Sequence, residues 1–271
     1  MELGTLVSRR TFLVRAGRGT FAIAVVGLAG CAPSAASPPP IGTPPSTYPP
    51  SLPPGGPSDA PASADPSGPP SDAPPAGSVA WHQVDLGFVS AYVLVRSGEA
   101  AVVDTGVAGS EGDIEAALVA TGLGWDAVGH IILTHLHGDH IGSATAVMSA
   151  APDAIGYAGA ADIPGISVPR ALTAVGDADR VFDLRIVATP GHTPGHISVL
   201  DEIGGILVAG DALTSAGGRA AGPDPQFTPD MAAATASVAK LGALTFETLL
   251  VGHGDPVTAG ASAQVAELAG S

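Results

Sequence analysis

Seven consecutive residues, Thr134-His135-Leu136-His137-Gly138-Asp139-His140, place four metal-binding side chains within six positions. The stretch before them, residues 128–133, is apolar apart from Gly129 and His130 and reads as a buried strand. Residues two apart at an extended strand end point to the same side, so His135 and His137 can share one ion. Gly138 lets the backbone turn sharply. Asp139 and His140 are adjacent and tend to face different ways, which suits a second ion beside the first. Neutral imidazoles with a carboxylate form a donor set that zinc accepts.

Further candidate ligands arrive downstream in order. Thr189-Pro190-Gly191-His192-Thr193-Pro194-Gly195-His196 follows an apolar strand at 184–188. The apolar run 206–209 leads through Gly210 to Asp211, and the run 249–251 leads through Gly252 to His253. Each sits just past a strand, where a rigid scaffold meets a loop. The ordered set HxHxDH, TPGHTPGH, GDA and GHG resembles the metallo-β-lactamase superfamily. Within it the chain is similar to the dinuclear hydrolases that include glyoxalase II-like thioesterases and quorum-signal lactonases. The resemblance runs from about Val79 to the C-terminus and is specific for fold and metal site, much less so for substrate.

The resemblance implies a ligand set. His135, His137 and His192 would hold one ion, Asp139, His140 and His253 a second, and Asp211 would bridge them. Two divalent metal ions are expected, zinc first and iron as the alternative. A hydroxide shared by the two ions would attack the carbonyl of a small-molecule ester, thioester, lactone or amide. Asp139 and Asp211 are the catalytic candidates, with Asp139 or a metal-bound water returning a proton to the leaving group. Asp104, in Asp104-Thr105-Gly106, matches a carboxylate that buttresses the metal loop in the family. His196 is assigned a supporting role. His82 and His130 match no motif.

Departures from the family narrow the chemistry. Asp211 stands where zinc β-lactamases typically have Cys or Ser. Ala212, Leu213 and Thr214 follow it, where the lactonases carry a Tyr. Glutathione thioesterases have a C-terminal helical domain and basic residues for the peptide, whereas this chain ends soon after His253 and Lys240 is its only lysine. The acyl partner stays open, and scarce basic groups count against strongly anionic substrates. Two alternatives remain: an iron-dependent sulfur (persulfide) dioxygenase with the same ligand set, and a non-enzymatic metal-binding module at the cell envelope.

Composition divides the chain into three parts. Residues 1–30 carry Arg9, Arg10, Arg15 and Arg18 against Glu2, and 17 of the 26 prolines lie in residues 32–78. From Val79 onward, 6 basic and 21 acidic residues leave a balance of −15. That balance argues against a nucleic-acid partner, which needs a basic footprint. Ser8-Arg9-Arg10-Thr11-Phe12-Leu13 matches a twin-arginine export pattern. The apolar run 21–30 is short for a permanent span and fits a signal h-region. It ends in Leu28-Ala29-Gly30-Cys31, which resembles a lipoprotein cleavage box. Cys31 is the single cysteine, so no intrachain disulfide can form. Residues 1–30 therefore read as a signal peptide and 31–78 as a disordered Pro-rich linker. Residues 79–271 read as a catalytic domain. The expected location is the outer face of the cell membrane, with a lipid at Cys31.

The domain reads as α/β. Short strands are expected at 81–86, 89–96, 100–103 and 155–158, with weaker ones at 170–175 and 180–182. Those at 184–188, 197–200 and 206–209 are stronger. Helices are expected at 110–121, capped by Ser110 with Asp113 at the capping-box distance, and at 141–150. Others are expected from Thr228 as N-cap with Pro229 in the first turn to 241, and at 262–268. Residues 160–169 read as a loop edging the site. Two strand series, each followed by helices, imply two packed sheets with helices outside. This agrees with the four-layer αββα sandwich that the resemblance implies.

Overall fold

The computed structural model describes residues 75–270. The twin-arginine pattern, the apolar run 21–30, Cys31 and the Pro-rich segment through residue 74 lie outside the described residues. Described structure starts a little before Val79: the Ser78 hydroxyl donates to the Pro75 carbonyl and the Val79 amide donates to Asp201 Oδ2.

Six strands form the first sheet, in sequence order across it: β1 (Ala80–Asp85), β2 (Ser90–Arg96), β3 (Glu99–Val103), β4 (Val128–Leu133), β5 (Ile155–Gly159) and β6 (Thr173–Val175). The first three are antiparallel and the rest run parallel. Ser97 and Gly98 both take positive φ and close the β2–β3 hairpin with Arg96 opposite Glu99, as a tight two-residue turn demands. The chain continues through β7 (Arg180–Val181), β8 (Leu184–Ala188), β9 (Ile197–Asp201), β10 (Ile206–Gly210), a separate hairpin of β11 (Thr214–Ala216) and β12 (Arg219–Ala221), and β13 (Thr248–Val251). The second sheet has the order β13-β10-β9-β8-β7.

Side-chain alternation assigns each strand two faces. Tyr92, Leu94, Val103 and Ile132 of the first sheet meet Leu184, Ile186, Val199, Val208 and Leu250 of the second in one buried cluster. The intervening residues Val93, Val102, Ile131 and Leu133 turn outward, onto α1 (Glu111–Ala120) and α3 (Ala144–Ala150), through Ile114, Leu118, Val147 and Met148. On the other side Leu207, Ala209, Leu249 and Val251 pack on α4 (Met231–Gly242) and α5 (Ala261–Ala269) through Val238, Leu241 and Val265. Burying each large aliphatic side chain stabilises the fold by about 1.5–3 kcal/mol, so both faces of both sheets contribute. The layers are helix, sheet, sheet, helix.

Several local expectations change. Ser110 occupies the first cap position, but its side chain caps nothing. The Ser110 amide instead donates to Ser143 Oγ, whose hydroxyl donates to the Val107 carbonyl. The helix expected at 141–150 is two pieces, a single turn α2 (Gly138–Ile141) and α3, parted at Gly142 and Ser143. A Cβ on Gly142 would lie 2.4 Å from the Ala108 amide nitrogen, so backbone packing sets the break. Residues 170–175 shorten to β6; Arg170, just before it, turns its guanidinium onto the carbonyls of Met148, Ala151 and Ala154 at and beyond the end of α3. The cap of α4 is Asp230, whose carboxylate accepts from the Ala233 amide, and not Thr228. The β11–β12 hairpin had no counterpart among the strands expected from the sequence.

The end of β5 touches the loop between β8 and β9 backbone to backbone beside the site. A Cβ at Gly159, the end of β5, would lie 1.9 Å from the Gly195 carbonyl oxygen. Neither partner is a side chain that can rotate away. Gly159→Ala should therefore destabilise the protein by about 1–3 kcal/mol in urea denaturation. Gly129→Ala, where a Cβ meets nothing within 4 Å, should change stability little.

Candidate metal centre

The loop after β4 and the turn α2 together carry the first four candidate ligands. Thr134 and His135 leave the strand, His137 is the extended residue before α2, and Asp139 and His140 lie within its turn. His192 and His196 sit in the loop between β8 and β9, Asp211 follows β10 and His253 follows β13. All these positions cluster at one edge of the sandwich, at the C-terminal ends of the parallel strands β4, β10 and β13 or in the adjoining loop.

Seven of the predicted residues converge. His137 Nδ1 lies 3.1 Å from His135 Nε2 and 2.8 Å from His192 Nε2. His253 Nε2 lies 3.4 Å from His140 Nε2 and 3.3 Å from Asp139 Oδ2. Asp211 Oδ2 is 3.2 Å from His192 Nε2 and 3.3 Å from His253 Nε2, so one carboxylate reaches both groups. Donors bound at about 2.0–2.1 Å stand roughly 3.3 Å apart around a tetrahedral ion. The observed spacings have that scale.

Hydrogen bonding on the far side of the His135, His140 and His253 rings sets which nitrogen faces the cluster. Asp104, at φ +59°, is buried; its Oδ1 accepts from the Thr134 amide, and its Oδ2 from the Thr134 hydroxyl and from His140 Nδ1 at 2.8 Å. Thr134 Oγ1 has spent its proton on Asp104, so it accepts from His135 Nδ1 at 3.0 Å. His253 Nδ1 donates to the Phe88 carbonyl at 2.6 Å. In each ring the proton sits outward, and the neutral form would present an Nε2 lone pair to the cluster. His140 Nε2 then lies 3.3 Å from Asp211 Oδ1, an oxygen that is buried without a hydrogen bond. With these rings neutral, lone pairs would face a carboxylate oxygen that has no other partner, which a cation would relieve, and the donor set fits divalent metal. Gly252 leaves room for this: a Cβ there would lie 2.2 Å from Asp211 Oδ1.

Burial and neighbouring charge set the protonation states. Burial holds His135 well below the ordinary imidazole range and lowers His192 to about 4. Burial disfavours charge on His140 too, but Asp104 and Asp211 outweigh it and raise that ring to about 10. The hydrogen bond with Asp211 raises His253. Burial alone would raise Asp211, yet His140 and His253 hold it well below the usual carboxylate range.

His196 does not join the ligand groups. Its Nε2 accepts from the Asp211 amide at 3.0 Å and its Nδ1 lies 2.8 Å from Thr189 Oγ1. Both nitrogens are used, and burial lowers the ring to about 3. Its geometry positions the Asp211 backbone. His130 packs on the rings of Tyr157 and Phe182. Asp162, which the sequence placed only within a loop, is fully buried. Its carboxylate accepts from the Leu136 amide, the Thr193 hydroxyl and the Gly195 amide. It clamps the loop of His135 and His137 to the loop of His192. A lone acid among Ala160, Ala161, Ile163 and Pro164 was the available signal. Thr228 also turns toward the site, 3.4 Å from His192 Nδ1. Beside the ligands a cleft of about 540 Å³ opens, lined by His137, Asp139, Asp211 and His253 with Phe88, Thr214, Asp224 and Phe227.

Comparison with known proteins agrees with this geometry. The family model described as the metallo-β-lactamase superfamily matches residues 84–253. A protein named probable metallo-hydrolase YflN of Bacillus subtilis (strain 168) is 45% identical over 83 residues, 27% of this chain and 31% of that protein. A hydroxyacylglutathione hydrolase of Alkalilimnicola ehrlichii is 38% identical over 119 residues, 44% of this chain and 43% of the relative. These matches thus span less than half the length of either relative. A metallo-β-lactamase family protein of Thermus thermophilus shares the fold with a TM-score of 0.58 at 23% identity, over 71% of this chain and 78% of that one. With its αββα layers and this ligand edge, the chain belongs to the metallo-β-lactamase superfamily.

Proposed function

We propose that this chain is a metal-dependent hydrolase of an acyl compound: an ester, thioester, lactone or amide. The observation that carries the proposal is the Asp211 carboxylate, within 3.3 Å of His192, His140 and His253, at the floor of an open cleft. In this reading His135, His137 and His192 would hold one divalent ion and Asp139, His140 and His253 a second, with the Asp211 carboxylate placed to serve both groups. Zinc suits these donors best, and iron is compatible with them. Bound there, two cations would supply a water activated at neutral pH and polarise the substrate carbonyl.

The rest of the chemistry belongs to the chain. Asp104 fixes the His140 tautomer, Thr134 relays that order to His135, and the Phe88 carbonyl does the same for His253. Asp162 sets the spacing of two ligand loops. Asp139 is partly exposed where it faces the cleft, so its carboxylate can pass a proton to a leaving group. Similarity to hydroxyacylglutathione hydrolases supports thioesters as the first substrates to try. We further propose export by the twin-arginine route and lipid attachment at Cys31, on the strength of the N-terminal motifs.

Three outcomes are expected. Protein purified without chelators should hold about two zinc ions per chain and hydrolyse thioesters, and His137→Ala should lower both metal content and turnover, the latter by at least about a hundredfold. One iron per chain with oxygen uptake on persulfides would replace this reading with the dioxygenase. Metal affinity should rise with pH. The metal-free His140 ring, raised to about 10 from an ordinary 6.5, is protonated at neutral pH and must lose that proton to become a ligand. The apparent affinity should climb about tenfold per pH unit from this group between pH 7 and 9, and calorimetry in buffers of different ionisation heat should detect the released proton. By linkage the same shift stabilises the metal-free fold fully below pH 6.5 and fades toward pH 10. For the anchor, Cys31→Ser should move the protein from the membrane to the soluble fraction or leave an unprocessed precursor; unchanged fractionation and mass would remove the lipid assignment.

A further inference from the structure

We infer that the cleft selects acyl substrates that carry an apolar group and no carboxylate, so that a neutral thioester is preferred over its glutathione counterpart. The inference deepens the hydrolase reading and rests on it.

Beyond the ligands, the cleft wall is Phe88, Phe227, Thr214 and Asp224. Phe88 and Phe227 are 62% and 59% exposed, among the few large apolar side chains left open to water. Both line one concave site, which is where exposed apolar surface signals a ligand. Phe88 is held in place. Its ring stacks on His253 at 6.2 Å, its carbonyl accepts from His253 Nδ1, and the Ser90 amide two residues on donates to the Gly252 carbonyl. Phe227 and Asp224 come from one turn, in which the Phe227 amide donates to the Asp224 carbonyl and the Gln226 amide to Asp224 Oδ1.

The distribution of charge points the same way. Four of the ten basic residues are Arg9, Arg10, Arg15 and Arg18, leaving six in the described residues. All six are engaged elsewhere. Arg96, Arg180, Arg185, Arg219 and Lys240 pair with Asp183, Glu202, Glu202, Glu267 and Asp177. Arg170 donates to three carbonyls at the end of α3. Among the described residues no lysine or arginine lines the cleft, while Asp139, Asp211 and Asp224 do. In the proposed complex two divalent ions more than offset Asp139 and Asp211, but that charge is directed at the reacting carbonyl, and Asp224 is left without a counter-charge. A glutathione moiety brings two carboxylates and one ammonium. Away from the ions its carboxylates would lose water in this cleft without gaining a lysine or arginine partner, and Asp224 would repel them.

The test compares phenylacetyl thioesters of N-acetylcysteamine and of glutathione as substrates of the metal-loaded protein. Binding of the matching non-hydrolysable phenethyl thioethers is measured by calorimetry. The neutral compound should be favoured about tenfold or more in kcat/KM and in affinity. Asp224→Lys should shrink that preference by about tenfold, and Phe227→Ala should cut the preference for phenylacetyl over acetyl by about tenfold. Equal or better use of the glutathione compound would overturn the inference and leave the hydrolase standing. Selective binding of the neutral thioether without turnover of either thioester would support the selectivity and remove the hydrolase reading. Binding of neither thioether would overturn the inference.

Discussion

A buried carboxylate at the end of β3 governs the order of the site. Asp104 sits at 3% exposure and accepts three hydrogen bonds, two from Thr134 and one from His140. A carboxylate in that position without partners would cost several kcal/mol, so the fold is stable only with the β4–α2 loop drawn onto it. The same bonds decide chemistry. They put the His140 proton on Nδ1 and occupy the Thr134 proton, which in turn fixes His135. One acid thereby aims two imidazoles, one directly and one through a hydroxyl. Its left-handed backbone, at φ +59°, is a conformation that Asp tolerates better than most residues, and it turns the chain sharply where β3 ends.

Asp162 repeats the device between the two halves of the molecule. Its oxygens take the Leu136 amide from the first half and the Thr193 hydroxyl and Gly195 amide from the second. Gly159 and Gly195 meet backbone to backbone beside it. The ligand groups therefore depend on the two sheets keeping one relative placement, which the shared cluster around Tyr92, Ile132, Ile186 and Val208 maintains. Tyr92 shows the coupling at one residue: its ring lies in that cluster while its hydroxyl donates to the Val251 carbonyl, two residues before His253.

Much of this was legible in the sequence because ligands are chemically conspicuous and strands alternate. HxHxDH, the paired TPGH units, Asp211 and His253 could be read as one constellation, and the strand series implied the layers. What escaped depended on tertiary partners. Ser110 looked like a cap, but its side chain caps nothing and its amide donates to Ser143, in the break between α2 and α3. Thr228 looked like a helix start, but it lies beside His192 and Asp230 does the capping. Gly142 breaks a helix for a reason, the nearby Ala108 backbone, that no local propensity records. Asp162 resembles any loop acid until its three donors are assembled around it.

Burial grades the ligands in a way that separates support from reaction. His135 and His140 are wholly buried, and His192 and Asp211 nearly so. His137, Asp139 and His253 are partly exposed and line the cleft. The buried members have their far sides bonded by the scaffold, so they can hold a fixed geometry when charge enters. The open members face the volume that a substrate would fill. Asp211, with one oxygen toward His192 and His253 and the other unpaired beside His140, stands at the boundary. In the metal-free chain the positive charge of His140 lies against that oxygen and holds Asp211 ionised. In the hydrolase reading the cations would take over this role, so binding must displace the His140 proton before it gains the carboxylate.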